Sequence, residues 1–335
     1  MNLEQLSIIR HLTNNTAYSH PTYDIKVIET HISWIFLTGP FTYKVKKNVK
    51  FGQVLDFSNL LLRKKYCKKE LILNKPLCGD MYLSVVKIIK KNKTFKFAEL
   101  NEKGEPVEYA VKMIEIPQKF RMDHSLKRGK INKKIIESLT DILINFHNNS
   151  LTNNKISKCG LPHIMKYKIK ENFETLLQLS KMDPIIESQM NLFLERNNNL
   201  FIQRISESKI RDIHGDLYLK NIFIIENKFY LYDRIEFNDS LRYADVTEDV
   251  AHLAMDLDFH NKSDLSKYLI KEYIQKSHDG TMSKLIHFMM CYKACVRAKV
   301  SFFRSQEINT KNKKILHEKE ARKHLNLAKK YINFF

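Results

Sequence analysis

The sequence predicts an α+β fold with two lobes, a small antiparallel-sheet N-lobe and a mainly helical C-lobe. Three observations lead to this prediction. Apolar runs of strand length dominate the first 116 positions, and apolar residues at helical spacing dominate from Ile131 onward. The third is a hairpin pattern near residues 222–232 that interrupts the helical part. We therefore expect an N-lobe over residues 1–116 and a C-lobe, which includes the hairpin, over residues 117–335.

The elements of the N-lobe follow in order. Leu3–Leu12 has the pattern of a short amphipathic helix. Six segments have strand character: Lys26–Ile28, Ile32–Leu37, Phe41–Val45, Val85–Ile89, Lys96–Leu100 and Val107–Ile114. A turn at Thr38–Pro40 joins the second and third strands into a hairpin. Between the third and fourth strands, Asp56–Leu77 shows leucines at helical spacing, with Asp56 or Ser58 as the expected N-cap.

Lys44 and Lys46 both lie on the third strand, where side chains two positions apart share a face. Glu70 lies on the helix that follows. A strand lysine oriented by a helix glutamate is the arrangement that binds nucleotide phosphates in phosphotransferases. Lys44 is the preferred lysine and Lys46 the alternative. Ordinary surface charge is the competing interpretation, because several other lysines crowd the same helix.

The segment Ile213–Asp233 reads IHGDLYLKNIFIIENKFYLYD and carries most of the functional information. Two apolar runs joined by a turn at Glu226–Lys228 predict a hairpin, with Asp216 and Asn221 before it and Asp233 after it. In phosphoryl transfer one carboxylate orients the attacking hydroxyl, while an amide and a second carboxylate hold Mg²⁺ on the nucleotide phosphates. The competing interpretation is a hairpin flanked by three unrelated polar residues, but the fixed spacing argues against it.

This spacing is the H-x-D-x-x-x-x-N pattern of protein kinases, followed by a metal-binding Asp. Its HGD form resembles the aminoglycoside phosphotransferase and choline kinase group. Longer segments resemble the kinase-like half of bacterial "bifunctional aminoglycoside phosphotransferase/ATP-binding" proteins, from about Ala17 to Phe303. These segments include YKVKKNVKFGQVLDFSNLLLRKKYCKKELILN, EYAVKM, HGDLYLKNI, LYDRIEFNDSLRYADVTEDVAHLAMDL and YKACVRAKVSFFR.

The resemblance implies a protein-kinase-like fold and a kinase that uses ATP or GTP with Mg²⁺ as cofactors. It also implies a small-molecule acceptor with a hydroxyl group. Lys44 would bind the nucleotide phosphates with Glu70 as its partner. Asp216 would orient the acceptor hydroxyl and accept its proton. Asn221 and Asp233 would be ligands of the metal.

The resemblance also places the rest of a nucleotide site. Ser33 falls in the phosphate-covering loop, in which hydroxyl and backbone N–H groups replace the glycines of protein kinases. Backbone groups near Glu115 and Ile116 would bind the adenine ring. Met113 would line the back of that pocket, where simple core packing is the alternative role.

The chain departs from the resembling proteins in three ways. It contains no GxxxxGK[ST] string, so we expect only their kinase-like half here. Tyr218 stands where they usually have His. Arg234 follows Asp233, where a small residue is common; this cation could reach phosphate or point outward.

Composition sets further limits. The formal net charge is +20, but the lysines are spread along the chain among Asn and Ile, which favours composition bias over a nucleic-acid or membrane surface. Residues 233–258 run against this trend and are acidic, which suits Mg²⁺ and a cationic substrate. Five cysteines without a CxxC pair, no apolar run of membrane-spanning length and no signal-peptide pattern predict a cytoplasmic protein.

Three function classes remain open from the sequence. The first is an ATP/Mg²⁺-dependent phosphotransferase acting on a hydroxyl. The second is a pseudokinase that binds a nucleotide or a partner without turnover, which the retention of Asp216, Asn221 and Asp233 disfavours. The third is a basic nucleic-acid-binding protein, which no recognition motif supports. The identity of the acceptor and the oligomeric state do not follow from the sequence.

Overall fold

The computed structural model describes residues 3–179, 183–307 and 310–335, and the chain divides into two compact units. Unit 1 runs to Arg121 and also takes in Ile222–Asp239, whereas unit 2 comprises Met122–Asn221 and Ser240–Phe335. The expected boundary at residue 116 is close to the observed one. The expected assignment of the hairpin to the second lobe differs from the observed grouping, because the hairpin contacts helix and strand residues of unit 1.

The strands and helices are bounded as follows. The strands are β1 (Lys26–Glu29), β2 (Ser33–Leu37), β3 (Phe41–Lys46), β4 (Lys50–Phe51), β5 (Leu55–Asp56), β6 (Tyr82–Lys91), β7 (Thr94–Ala98), β8 (Pro106–Ile114), β9 (Ile210–Asp212), β10 (Ile222–Ile225), β11 (Lys228–Leu231) and β12 (Tyr243–Asp245). The helices are α1 (Leu3–His11), α2 (Leu60–Cys78), α3 (Met122–Lys127), α4 (Lys133–Asn149), α5 (Asn154–Ser157), α6 (Pro162–Leu179), α7 (Ile185–Arg196), α8 (Asn198–Ser206), α9 (Thr247–Phe259), α10 (Ser263–Ser277), α11 (Met282–Glu307) and α12 (Lys311–Tyr331). The predicted α+β class is confirmed.

Six strands of unit 1 form one antiparallel sheet in the order β1-β2-β3-β8-β6-β7. Successive side chains of a strand point to opposite faces. On β3, Tyr43 and Val45 therefore enter an apolar core together with Trp34 of β2 and residues of α1. The residues between and beyond them, Lys44 and Lys46, face away from this core. The sheet thereby presents two lysines on the face opposite α1.

Helix α2 begins later than the sequence pattern predicted. Asp56 belongs to the short β5 strand, and its carboxylate accepts hydrogen bonds from the N–H and hydroxyl of Ser58. Asn59 is the N-cap: its Oδ1 accepts a hydrogen bond from Leu62 N–H at 2.9 Å. The predicted caps, Asp56 and Ser58, are therefore wrong, because these two residues close a local turn onto each other.

The hairpin of β10 and β11 forms as predicted, with a shorter turn. Ile225 pairs with Lys228, so the turn consists of Glu226 and Asn227 alone. Both have positive φ, 47° and 67°, which is the backbone of a type I′ turn. This turn matches the twist of the two strands and fixes their register.

Unit 2 is built mainly around two helices. From Thr247 to Leu257 every residue of α9 is buried, and α11 packs against α6, α9 and α12. The antiparallel pair of β9 and β12 was not predicted from the sequence, because each strand has only three residues. Helix α9 and this strand pair together position the segment that carries Asp216.

Candidate functional site

The strand lysines and the helix glutamate predicted from the sequence are in contact within unit 1. Glu70 is fully buried on α2. Its Oε1 accepts a hydrogen bond from Lys44 Nζ at 2.8 Å, and its Oε2 accepts one from Lys46 Nζ at 2.7 Å. A single carboxylate therefore binds both lysines, and the choice of Lys44 as the phosphate-binding lysine stays a prediction.

Two acids that follow the β10–β11 hairpin complete this cluster. Lys44 Nζ donates to Asp233 Oδ1 at 2.5 Å, and Lys46 Nζ forms an ion pair with Glu236. Asp233 has a φ of +65°, a left-handed conformation that is uncommon outside glycine. This backbone leaves its side chain 41% exposed, while the side chain of Glu236 is buried. Asp233 is therefore the acid of the cluster that solvent reaches.

The charges of the cluster are unequal, because three carboxylates share two ammonium groups. Burial raises the pKa of Glu70, but Lys44 and Lys46 outweigh burial and hold this pKa below its usual value. Burial also raises the pKa of Glu236. Its ion pair with Lys46 lowers this pKa by less than burial raises it, and the nearby negative charge of Glu70 raises it further. Burial lowers the pKa of Lys44, yet Asp233 and Glu70 raise it well above its usual value. Both lysines are charged at neutral pH, and of the two buried acids Glu236 takes up a proton more readily than Glu70.

Arg234 is buried and contacts α2. It is 5% exposed, and its N–H donates to Asn74 Oδ1 at 2.9 Å. Its guanidinium Nη1 donates to the Leu73 carbonyl oxygen at 3.3 Å. Arg234 thus fastens the segment after the hairpin to α2.

The residues expected to line a nucleotide pocket differ in their burial and in their hydrogen bonds. Met113 and Ile116 are buried, and Ser33 is fully buried at the start of β2. Among the described residues the Ser33 hydroxyl has no hydrogen-bond partner. The Glu115 N–H donates to the Pro40 carbonyl oxygen at 3.1 Å, so it does not offer a free donor to an adenine ring.

In unit 2 the segment His214–Asn221 forms a tight loop that ends in a 3-10 turn, Leu219–Asn221. Asp216 has a side chain that is 37% exposed. The Asn221 amide nitrogen donates to the Asp216 carbonyl oxygen at 2.9 Å, and its distance to Asp216 Oδ2 is 3.4 Å. The amide oxygen of Asn221 therefore faces away from this bond, as a metal-ligating amide requires.

Two carboxylates on α9 hold this loop from one side. Asp249 Oδ2 and Oδ1 accept hydrogen bonds from the N–H groups of His214 (2.8 Å) and Gly215 (2.9 Å). Two helical turns later, Asp256 Oδ2 accepts one from Leu219 N–H at 2.9 Å. Asp249 and Asp256 thus tie the loop to α9.

The aromatic ring of Tyr218 packs beside Asp216. The imidazole of His252 stacks on it with ring centroids 5.4 Å apart, and the Arg297 guanidinium lies 4.3 Å from the ring centroid. His252 Nδ1 lies 3.8 Å from Asp216 Oδ1. Burial lowers the pKa of His252 well below its usual value, and the charges of Lys293 and Arg297 add to this, so the imidazole is neutral. Arg297 and His252 were not singled out from the sequence, although Arg297 lies within the YKACVRAKVSFFR segment.

The acidic stretch after Asp233 is not an open anionic surface. Each of its acids contacts a donor within its own unit: Asp233–Lys44, Glu236–Lys46, Asp239–Lys69, Asp245–Arg204, Glu248–Lys293, Asp249–His147, Asp256–Leu219 and Asp258–Tyr331. Most of these carboxylates already neutralise cations of the chain, and the expectation that this stretch suits a cationic substrate stays a prediction.

The structure brings together some of the predicted site residues. Lys44, Lys46, Glu70 and Asp233 meet in unit 1, and Asp216 and Asn221 meet in unit 2. The residues described by the structure include no group of three or more His, Cys, Asp or Glu side chains arranged to hold a metal ion. A magnesium–nucleotide complex needs fewer protein ligands, because Mg²⁺ is commonly held by one or two carboxylates together with substrate phosphates. The half-exposed carboxylate of Asp233 in unit 1 and the amide of Asn221 in unit 2 are each of a ligand type that Mg²⁺ accepts.

Comparison with known proteins agrees with this architecture. No protein-family model matches the chain. Uncharacterized proteins of Mycobacterium tuberculosis and Mycobacterium bovis are 30% identical to it over 300 residues, which cover 87% of this chain. The chain spans 58% of the length of these curated relatives.

Solved kinase structures share the fold. A choline kinase from Cryptosporidium parvum matches with a TM-score of 0.52 at 9% identity, over 99% of this chain and 97% of that chain. A choline/ethanolamine kinase family protein from Mesorhizobium loti matches with a TM-score of 0.50 at 8% identity, over 98% of this chain and 100% of that chain. The chain therefore has the protein-kinase-like α+β fold of this group, as the sequence predicted. None of the helices in the described ranges is both long and apolar enough to cross a membrane.

Proposed function

We propose that the protein is a phosphotransferase that moves the γ-phosphoryl group of ATP or GTP to a hydroxyl of a small-molecule acceptor. The observation that carries this proposal is the contact of Lys44 with both Glu70 and Asp233, at 2.8 and 2.5 Å. A lysine fixed by a helix glutamate and placed next to a metal-binding Asp is the part of a kinase site that holds nucleotide phosphates. The shared fold supports the same class of reaction but does not by itself identify it.

In this proposal each residue has a defined role. Lys44 binds the α- and β-phosphates, and Glu70 keeps its ammonium group in place. Asp233 and the amide of Asn221 would each serve as a ligand of Mg²⁺, which would neutralise charge on the phosphates. Asp216 orients the acceptor hydroxyl and accepts its proton. The bond between the γ-phosphorus and the bridging β,γ-oxygen breaks, a bond from the acceptor oxygen to phosphorus forms, and the nucleoside diphosphate leaves.

The test is nucleotide turnover against a panel of alcohols, including sugars, amino alcohols, aminoglycosides, hydroxy acids and phosphorylated alcohols. We expect Asp216→Ala and Asp233→Ala to lower kcat by about 10²–10⁴-fold, the usual contribution of a general base or a metal ligand. Asp24→Ala, which removes an exposed acid of unit 1, serves as the matched control and should leave turnover unchanged.

Two outcomes would contradict the proposal. Turnover that survives both Asp216→Ala and Asp233→Ala would show that other residues perform the transfer. Tight nucleotide binding without turnover on any acceptor would instead favour a nucleotide-binding protein that lacks kinase activity.

A further inference from the structure

Arg297 is a buried cation that lies near carboxylates but forms no ion pair with one among the described residues. Burial lowers the pKa of its guanidinium, but Tyr218, Asp216 and Asp256 outweigh burial and raise this pKa. The residue surface of Arg297 is 8% exposed. The Nε atom of its guanidinium is buried and has no hydrogen-bond partner among the described residues. Buried arginines normally have paired charges and satisfied donors, because an unpaired charge away from water is costly. Two other buried arginines of this unit follow that rule: Arg204 pairs with Asp245 and Asp279, and Arg242 pairs with Asp212.

A second unpartnered group lies beside Arg297. Both ring nitrogens of His252 are buried without a hydrogen-bond partner among the described residues, and the residue is 1% exposed. Arg297 and His252 both contact the ring of Tyr218, and His252 Nδ1 lies 3.8 Å from Asp216 Oδ1. Unused donors thus converge beside the proposed catalytic carboxylate.

Neighbouring cations add to the positive charge near Arg297. Lys293 lies one helical turn before Arg297 on α11, and its Nζ lies 3.4 Å from the Gly215 carbonyl oxygen. Glu248 neutralises only part of this charge, since it is shared between Lys293 at 2.9 Å and Lys168 at 3.5 Å. The carboxylates of α9 that face the loop, Asp249 and Asp256, are occupied by loop N–H groups.

We propose that the acceptor carries an oxyanion, either a carboxylate or a phosphate, and that Arg297 binds this group next to Asp216. The inference rests on the proposed function and narrows it to hydroxy acids or phosphorylated alcohols. A guanidinium presents a planar fork of donors that matches both oxyanions. The guanidinium lies over the ring of Tyr218 and also forms a hydrogen bond with the Tyr218 side chain. Its buried Nε, which has no partner among the described residues, is the donor left for the ligand. Arg297 is thus a specificity-determining residue for the acceptor.

The first experiment measures thermal unfolding without nucleotide, in sodium phosphate, sodium malonate or sodium chloride of equal ionic strength. We expect phosphate or malonate to raise the Tm of the wild type by several degrees relative to chloride, because a ligand that binds only the folded state stabilises it. Arg297→Met should lose this shift, and Arg297→Lys should lose most of it. Lys284→Gln removes an exposed cation of the same helix, and this control variant should keep the anion-dependent Tm shift. A shift with phosphate alone or malonate alone identifies the preferred oxyanion.

The same experiment separates a ligand-binding role from a structural one. In chloride, Arg297→Met should unfold at a lower temperature than the wild type, because Asp216, Asp256 and Tyr218 stabilise this charge in the folded state. A purely structural role predicts the same loss of Tm in every salt, whereas a ligand-binding role also predicts loss of the anion-dependent shift. A lower Tm together with an unchanged anion-dependent shift would overturn the inference. So would the lack of any shift in the wild type with either anion.

The second experiment compares glycerol, glycerol 3-phosphate and glycerate as acceptors. We expect turnover of an anionic acceptor, with Arg297→Lys raising its KM about 10-fold or more while kcat changes little, as for a lost binding contact. Turnover of glycerol that Arg297→Lys leaves unchanged would overturn the inference but leave the proposed function intact. If Arg297→Lys weakens nucleotide binding but leaves anion binding unchanged, Arg297 binds the nucleotide. That result would also overturn the inference. If no acceptor of this set or of the wider alcohol panel is phosphorylated, the proposed function fails, while the anion-dependent Tm shift still decides whether Arg297 binds an oxyanion.

Discussion

At the scale of single residues, the buried acids of unit 1 differ in how many cations they serve. Glu70 binds two lysines with its two oxygens, while Glu236 binds Lys46 alone. The pKa of Glu70 is lowered, and that of Glu236 is raised by burial. Glu70 is therefore the acid whose negative charge unit 1 needs, and Glu236 is closer to being neutral.

This difference predicts unequal effects of removing the two charges. Glu70→Gln leaves two buried lysines short of a partner and should lower the free energy of unfolding by about 3–5 kcal/mol, as for a broken buried ion pair. Glu236→Gln should cost clearly less. The only tryptophan of the chain, Trp34, is buried in unit 1, so its fluorescence during urea unfolding reports on this unit. An equal decrease in the free energy of unfolding for the two variants would contradict the different charge states assigned to Glu70 and Glu236.

The sequence was informative for some residues and silent for others. The two-residue repeat of a strand placed Lys44 and Lys46 on one face, and the position of Glu70 on the next helix made the contact predictable. Arg297 lies about 80 residues after Asp216 on a helix whose pattern is that of ordinary packing. Only the fold brings such residues together, so its contact with Tyr218 had no signal in local spacing.

At the scale of elements, α9 supports the loop of unit 2 with residues spaced along one of its faces. Asp249, His252 and Asp256 follow each other at intervals of three and four, so they lie on the same side of the helix. Asp249 and Asp256 accept hydrogen bonds from loop N–H groups, and His252 lies beside Asp216. A single helix thus fixes both ends of the loop and part of the surroundings of Asp216.

Loss of the Asp249 charge should weaken unit 2 in a pH-dependent way. Burial raises the pKa of Asp249, but the contacts with His147 and His214 outweigh it and lower this pKa to about 2, from an ordinary value of 3.8. A lowered carboxyl pKa stabilises the fold above the unfolded value and loses that effect as the pH falls through the folded one. At neutral pH this amounts to about 2 kcal/mol, since one pKa unit corresponds to about 1.4 kcal/mol.

We therefore expect Asp249→Asn to lower the free energy of unfolding by about 2 kcal/mol or more at pH 7. The difference from the wild type should stay constant between pH 7 and 5 and begin to shrink below about pH 4. Urea unfolding followed by circular dichroism at several pH values measures it. A difference that changes between pH 5 and 7 would point to a histidine, not to Asp249, as the group responsible.

Prediction of elements depended on their length. The long strands and α2 have enough residues to show a periodicity, so their existence and order were predictable. The paired segments β9 and β12 have three residues each, too few to show a pattern. The start of α2 was misplaced, because Asp56, Ser58 and Asn59 are all common N-cap residues, and only the pairing of β4 with β5 decides among them.

At the scale of the whole molecule, unit 1 is assembled from two separate parts of the chain. The β10–β11 hairpin adds contacts to α2: Cys78 Sγ donates to the Leu231 carbonyl oxygen at 3.1 Å, and Asn74 Oδ1 accepts from Arg234 N–H. It also supplies the acids that bind Lys44 and Lys46. A cut after residue 121 would therefore leave buried polar groups of α2 and β3 without partners.

This organisation predicts the behaviour of fragments. Residues 1–121 alone should not fold stably, whereas the same residues joined to 222–239 by a short Gly/Ser linker should fold. A short linker suffices because Arg121 and Phe223 already pair as a β-bridge. Cooperative urea unfolding reported by Trp34 fluorescence measures the outcome, with a scrambled 222–239 segment as the control. Stable folding of residues 1–121 alone would show that the hairpin is not part of this unit.

The hydrogen bonds between α9 and the loop also determine how slowly the loop opens and when the entropy of ordering it is lost. Three loop amides donate to carboxylates of one buried helix, so the loop cannot swing away by rotating a few exposed bonds. Its release requires the joint loss of several buried hydrogen bonds, which belongs to slow sub-global opening and not to the nanosecond motion of surface loops. A ligand that meets Asp216 finds this backbone already ordered, and the entropy of ordering it was spent during folding.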